Sequence, residues 1–199
     1  MPKPAPPVPQ LLTDERLMLA PWRGGDAAEL RDAVHESSAS VGRWLPWCHA
    51  GYGMEHALAW TAQCRATWQA GTQFAFAVRD AASGELLGGC GLSQLGNPHH
   101  HANLGYWVRE SRQRQGVAVA ASRCVARFGF ESLGLARIEI VALLDNHASR
   151  RVAERLGAIF EGRSRQRLWV WDRAHDAAVY ALVPADFAQP AAQDAATSS

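Results

Sequence analysis

The chain has 199 residues, of which 48% are hydrophobic, and its formal net charge at pH 7 is +1. This length suits one domain with one core, and the balanced charge gives no reason to expect binding to nucleic acid or to a membrane. Four cysteines without a C-x-x-C pair predict reduced thiols, and with no signal peptide or long apolar span we expect a cytoplasmic protein.

The two ends of the chain differ in composition from its middle. Residues 1–10 are rich in proline, and residues 185–199 are rich in alanine, glutamine and serine. Neither composition supports a packed core, so we predict two disordered tails around a single domain at residues 11–184.

The first half of this domain alternates between strand and helix patterns. Periodicity and turn residues place a strand at 16–21, a helix from Asp26 to a break at 37–42, a helix at about 54–70, and paired strands at 74–78 and 86–95. A loop with three adjacent histidines follows at 96–101, but no further ligands at metal-binding spacing accompany them, so no metal is predicted.

A tryptophan-rich loop lies between the first two predicted helices. Trp44 and Trp47 flank a Leu-Pro pair there. The loop is either a plug that covers the core or one wall of a substrate cleft, and the two interpretations are compatible.

The second half repeats the pattern of strand followed by helix. Strands are expected at 104–109 and 137–144, helices after Gly116 and from residue 145 to about 156, and a final strand pair from residue 158 to 183. Within that pair Arg163, Arg165 and Arg167 alternate, which would place three guanidinium groups on one strand face. The full order, β-α-α-β-β-β-α-β-α-β-β, indicates an α/β sandwich.

The polar turn at residues 110–116 joins a strand to a helix. This geometry predicts an anion site, because the first-turn N–H groups have no partner within the helix and the helix dipole adds positive charge there. Gly116 allows close approach of the backbone, and Arg112 and Arg114 add charge. No Gly-Lys-Ser/Thr follows, so the turn is not a P-loop.

The turn also carries a motif. Residues 113–118 fit Gln/Arg-x-x-Gly-x-Gly/Ala, which resembles the pyrophosphate-binding motif of the GNAT superfamily of N-acetyltransferases. Residues 104–108 are similar to that family's fourth strand, and residues 145–158 to the helix that flanks its cofactor.

Two further features narrow the resemblance to the RimJ/RimL branch, the ribosomal-protein N-terminal acetyltransferases and their relatives. They are the tryptophan-rich loop and the closing His175-Asp176 pair with Tyr180. The resemblance covers about residues 11–183. It implies a mixed, mostly antiparallel central sheet with about four flanking helices and splayed fourth and fifth strands.

The resemblance implies direct transfer of acetyl from acetyl-CoA to an amine in a ternary complex, without a metal. It implies cofactor contacts by these residues: Trp107, Val108, Gln113, Arg114, Gln115, Gly116, Val117, Ala118, Asn146 and Ser149. In the family the asparagine contacts the pantetheine and the serine lies near the sulfur, where it stabilises or protonates the leaving thiolate. Outside the family context, Asn146 is a helix N-cap and Ser149 a solvent-facing helix residue. The predicted substrate contacts are Trp44, Trp47 and Tyr106.

The sequence departs from the family pattern at two positions. Arg114 replaces the usual first glycine of the phosphate loop, and an arginine is expected to require ordinary backbone angles, although its charge favours phosphate. Asn103 stands where relatives often carry a glutamate that serves as base, and an amide cannot take a proton. Glu139 is the candidate catalytic base in its place, or else a paired strand carboxylate; His101, Glu110 and His175 are weaker options.

The missing glutamate bears on the acceptor. At pH 7 roughly a tenth of an α-amine is neutral, against fewer than about one in a thousand lysine amines. An α-amine therefore needs less help from a base, which favours a protein N-terminus, of ribosomal type, as substrate. The alternatives are a small amine, such as an antibiotic, polyamine or amino acid, and a non-catalytic coenzyme A-binding protein. Relatives suggest a homodimer, although no residue here indicates one.

Overall fold

The computed structural model describes residues 11–13 and 16–187. The strands are β1 (Leu11–Thr13), β2 (Leu17–Pro21), β3 (Phe74–Asp80), β4 (Leu86–Ser93), β5 (His101–Val108), β6 (Arg137–Leu143), β7 (Ile159–Val170) and β8 (Arg173–Leu182). The helices are α1 (Ala27–Ser37), α2 (Met54–Ala70), α3 (Val117–Glu131), α4 (His147–Leu156) and α5 (Pro184–Phe187).

The predicted order of elements is confirmed, with β1 and the single-turn α5 added at its ends. The tails expected at residues 1–10 and 185–199 lie outside the described residues, apart from the three that belong to α5.

The described strands form one mixed sheet in the order β1-β2-β3-β4-β5-β6-β8-β7. Every neighbouring pair is antiparallel except β5 and β6, which run parallel. The expectation of a mostly antiparallel sheet with flanking helices is therefore confirmed.

The parallel pairing of β5 with β6 is short, and the two strands separate where it ends. Only three residues of β5 pair with β6, and the last pair is Asn103 with Glu139. Beyond it β5 continues to pair with β4, whereas β6 pairs with β8. The strands expected to splay, β5 and β6, therefore diverge toward their C-terminal ends. We call the space between them the gap, and the Asn103–Glu139 pair its vertex.

Alternating side chains supply two cores, one on each face of the sheet. On one face Phe76, Leu104 and Ile140 pack beneath α3 and α4. On the other face smaller residues such as Ala77 pack against α1, through Leu30 and its neighbours. Because strand side chains alternate between faces, the two faces of the sheet at the gap belong to different cores.

The strand pair β7–β8 is less regular than the sequence suggests. Its register is interrupted between Ser164 and Leu168, where Gln166 has a positive φ of 51°. Arg163 pairs with Asp176, and the three alternating arginines are all exposed. The predicted shared face is therefore interrupted by an irregularity of the strand.

Two expectations from composition concern the whole fold. The four cysteines are free thiols, as predicted, and Cys48, Cys64 and Cys90 are buried. Among the described helices, none combines the length and the apolar character that crossing a membrane requires.

Candidate functional site

The N-terminus of α3 has no side-chain cap and carries the positive end of the helix dipole. Gly116 precedes the helix with a φ of 79°, and no side chain caps it. Within the described chain, no acceptor takes the N–H groups of Gly116, Val117 or Ala118. A Cβ added at Gly116 would meet no atom within 4 Å, so this end is open. Unpaired first-turn N–H groups and the dipole of a 15-residue helix together favour an anion here.

Arg114 does not behave as its residue type suggests. The residue type predicts ordinary backbone angles, but the φ of Arg114 is 62°, in the left-handed region that the usual glycine adopts without penalty. The expectation was wrong because the turn that starts α3 fixes the backbone here, at a cost of about 1–2 kcal/mol for a residue with a Cβ. Arg114 is exposed and makes no ion pair with any described residue, whereas Arg112 is already paired with Glu85 at 2.6 Å. Arg114 is therefore a cation at the helix end that no described carboxylate pairs.

Contacts from distant residues hold the turn before α3. Glu36, at the end of α1, accepts a hydrogen bond from the Ser111 backbone N at 2.8 Å and pairs with the Arg109 guanidinium. The hydrogen bond from Arg109 is the main reason that the pKa of Glu36 falls from 4.5 to about 2. The Gln113 amide donates to the Val108 carbonyl oxygen at 3.1 Å. Glu36 carries no sequence signal for this role.

On the α4 side, the gap is bridged by side chains. Asn146 Oδ1 accepts from the Ser149 backbone N at 3.1 Å, so Asn146 is the N-cap of α4. Tyr106 Oη donates to the Ser149 carbonyl oxygen at 2.9 Å and lies 3.0 Å from Ser149 Oγ. Burial raises the pKa of the Tyr106 phenol above its usual range, so the phenol stays protonated. Of the predicted residues, Tyr106, Asn146 and Ser149 thus meet on one face of the sheet.

Tryptophans line the opposite face. The Trp107 indole lies against Trp47, with ring centroids 5.6 Å apart. Gly89 on β4 makes room, because a Cβ there would lie 2.6 Å from Trp107 Nε1. Trp47 remains 39% exposed, while Trp44 is half-buried with a guanidinium over its ring. The structure brings Trp47 to Trp107, but it places Tyr106 on the other face.

The vertex carries the candidate base. Asn103 and Glu139 are ladder neighbours, so their side chains share a face, which is also that of Trp107. Glu139 Oε1 accepts from Arg137 Nε at 3.0 Å, and Arg137 pairs with Glu161 as well. The structure therefore shows Glu139 as a paired strand carboxylate that nonetheless stands where the strands separate. Across the described chain, no group of three or more His, Cys, Asp or Glu side chains is arranged to hold a metal ion.

Together these features define a class of protein. The gap offers an unpaired edge of β5 to an extended ligand, and its open end leads to the uncovered start of α3. A hydroxyl stands on one face of the sheet at the gap and tryptophans on the other face. The arrangement suits a long molecule with an anionic end and a reactive end near the vertex.

The GNAT acetyltransferase domain matches residues 16–159. The chain therefore belongs to the GNAT acetyltransferase family.

Individual relatives agree with this assignment. The chain is 36% identical over 100 residues to YdaF of Bacillus subtilis, and 32% identical over 99 residues to the ribosomal-protein-serine acetyltransferase of Escherichia coli. Each match covers 50% of this chain and 55% of the relative, so the chain spans about half the length of these curated relatives. The structure of Mycobacterium smegmatis RimJ, in complex with CoA-disulfide, is similar with a TM-score of 0.78 and 26% identity, over 92% of this chain and 90% of that one.

Proposed function

We propose that the protein is an acetyl-CoA-dependent N-acetyltransferase that acts on the α-amino group of a protein N-terminus, of ribosomal-protein type. The observation that carries the proposal is the uncovered N-terminus of α3 at the open end of the gap. The name of the E. coli relative and the ligand of RimJ support it. A ribosomal substrate would place the protein in the cytoplasm, and a homodimer remains an expectation from the family resemblance.

The residues present fit coenzyme A. The N–H groups of Gly116, Val117 and Ala118 would hold its diphosphate, with Arg114 adding charge and Gln115 extending the same loop. Gln113 would act by fixing this loop to the end of β5. At the gap, β5 would offer the backbone N–H of Val108 to the pantetheine arm. The backbone of Trp107, which was predicted to make the same contact, faces β4 instead, because Arg109 N donates to the Leu87 carbonyl oxygen and backbone groups alternate along a strand. Since Asn146 uses its oxygen as a cap, its amide nitrogen is left to donate to that arm.

When bound, acetyl-CoA supplies a thioester. The amine lone pair forms the new C–N bond, the C–S electron pair goes to sulfur, and the proton lost from nitrogen balances the thiol that is released. A backbone N–H of β5 would donate to the carbonyl oxygen as its charge develops, and Ser149 would donate to the sulfur. Trp44 and Trp47 would line the approach of the acceptor. Glu139, which is paired with Arg137, would take the proton through water.

An acceptor panel tests the substrate class. One peptide carries a free α-amine and no lysine; the other has the same sequence with a blocked N-terminus and one lysine. We expect thiol release with the first to exceed that with the second at pH 7, because far more of an α-amine is neutral there. Rates should level off near pH 8 for the first peptide and keep rising for the second.

Other outcomes decide between the alternatives. Activity on small amines alone would contradict the substrate class. The pairing of Glu139 with Arg137 favours a second candidate function, a coenzyme A-binding protein without catalysis. That candidate requires coenzyme A affinity with no turnover on any acceptor at any pH.

The Arg114→Gly variant separates the effect of backbone strain on stability from the effect of the side-chain charge on coenzyme A binding. Because a glycine adopts the left-handed backbone freely, we expect the variant to be as stable as wild type or up to about 1 kcal/mol more stable. Loss of the cation should weaken coenzyme A binding several-fold at low salt, and the difference should shrink at high salt. Calorimetric titration and urea unfolding measure the two effects. Arg114→Lys is the control, since it keeps the charge; if it binds as poorly as the glycine variant, the charge is not what matters.

A further inference from the structure

The contact between Tyr106 and Ser149 crosses the gap. Tyr106 lies on β5 beyond the vertex, and Ser149 lies in the first turn of α4, which follows β6. The strands no longer pair at this level, and the phenol supplies a hydrogen-bonded link between the two sides. Its oxygen touches both the main chain and the hydroxyl of Ser149, at 2.9 and 3.0 Å. Two bonds to one residue fix where that hydroxyl stands.

Hydrogen counting shows how the pair can work. A phenol has one proton, and a carbonyl oxygen can only accept. When Tyr106 donates to the Ser149 carbonyl oxygen, the Ser149 hydroxyl must be the donor in the 3.0 Å contact, and its proton points at Tyr106. When Tyr106 instead donates to Ser149 Oγ, the serine proton is free to point into the gap. The two arrangements differ only in the direction of two O–H bonds.

We propose that Tyr106 is a positioning residue, which acts through Ser149 by holding its hydroxyl beside the leaving sulfur and donating to it as negative charge develops there. This rests on the proposed function. As the C–S bond breaks and its electron pair moves to sulfur, Ser149 turns its proton to the sulfur and Tyr106 turns its proton to Ser149 Oγ. No heavy atom of Tyr106 or Ser149 moves, and neither hydroxyl ionises. The step therefore needs no reactant beyond those of the acetyl transfer.

The kinetic test combines Tyr106→Phe, Ser149→Ala and the double variant. Tyr106→Phe keeps the ring and removes the phenol oxygen. We expect kcat to fall about tenfold with KM for acetyl-CoA unchanged, since the lost hydrogen bond acts on developing charge. In the Ser149→Ala background the same change should have no further effect on kcat, because Tyr106 acts only through the serine.

Tyr180→Phe is the matched control. The Tyr180 phenol also bonds to α4, through Arg150 at 3.1 Å and Glu154 at 2.9 Å, and these described hydrogen bonds do not include Ser149. Its removal should lower the melting temperature about as much as Tyr106→Phe does, with kcat unchanged. An equal loss of kcat in both variants would show that Tyr106 only supports the helix and would overturn the proposal.

A second measurement does not need turnover. The thiol of bound coenzyme A can be titrated by its thiolate absorbance in the ultraviolet. We expect it to ionise at lower pH in wild type than in Tyr106→Phe, because the hydroxyl pair stabilises the thiolate. If both proteins bind coenzyme A and its thiol ionises at the same pH in wild type and in Tyr106→Phe, the proposal is refuted. Absence of turnover in wild type with every acceptor would refute the proposed function alone, so the two failures are distinguishable.

Discussion

An Ala118→Glu variant is expected to be at least as stable as wild type and yet to lose coenzyme A binding. Ala118 is the second residue of α3, beside N–H groups that have no acceptor in the described chain. A carboxylate in the first turn of a helix stabilises it by about 0.3–1 kcal/mol. The same carboxylate would occupy the place proposed for the diphosphate and repel it. We expect affinity to fall about a hundredfold or more, since one close like-charge contact costs about 3 kcal/mol near a protein surface.

Ala118→Glu is informative because it should weaken coenzyme A binding without lowering stability. A misfolded protein would lose stability together with binding, whereas here calorimetric titration should show weaker binding while the melting temperature holds or rises. Ala118→Gln is the control, because it has the size of glutamate without the charge, and it should bind coenzyme A within several-fold of wild type. If Ala118→Glu binds as wild type does, the diphosphate does not lie at the start of α3.

Local patterns were sufficient to predict the elements around the site. The strand, polar turn and amphipathic helix that became β5 and α3 are each encoded by residues close together in sequence. The same holds for Asn146, whose residue type and position before α4 are those of an N-cap. The splay of β5 and β6 could not be predicted from local patterns, because periodicity carries no information on where two strands separate. That prediction came from the family resemblance. The strand β1 was missed because it is three residues long.

Contacts between distant residues could not be predicted from one sequence. Glu36 reaches the turn from 73 residues before Arg109, and Tyr106 meets Ser149 across 43 residues. Both depend on how the sheet brings α1 and α4 to the gap. The backbone of Arg114 is an intermediate case: its place in the motif is that of a glycine, which was a signal for a left-handed residue. The residue type favours ordinary backbone angles, but the structure shows that the position in the motif decides.

The pairing of Glu36 with Arg109 should stabilise the folded protein, and this stabilisation should decrease at low pH. The pKa of Glu36 is about 2 in the folded protein, against an ordinary value of 4.5, so the unfolded chain binds more protons between these values. The stabilisation is therefore fully present above pH 4.5 and is lost as the pH falls toward 2. The Glu36 side chain is 29% exposed, so after allowance for solvent screening we expect about 2 kcal/mol.

Glu36→Gln should accordingly lower the free energy of unfolding by about 2 kcal/mol at pH 7, with the deficit shrinking below pH 4.5 and vanishing near pH 2. Urea unfolding of wild type and variant at a series of pH values measures this. Glu29→Gln is the control on the same helix, because Glu29 also pairs with an arginine but is 49% exposed, and exposed pairs contribute less than about 1 kcal/mol. Since Glu36 holds Ser111 and Arg109, its loss should also weaken coenzyme A binding at neutral pH. A stability deficit that stays constant from pH 7 to pH 3 would mean that the charge of Glu36 is not what fixes the turn.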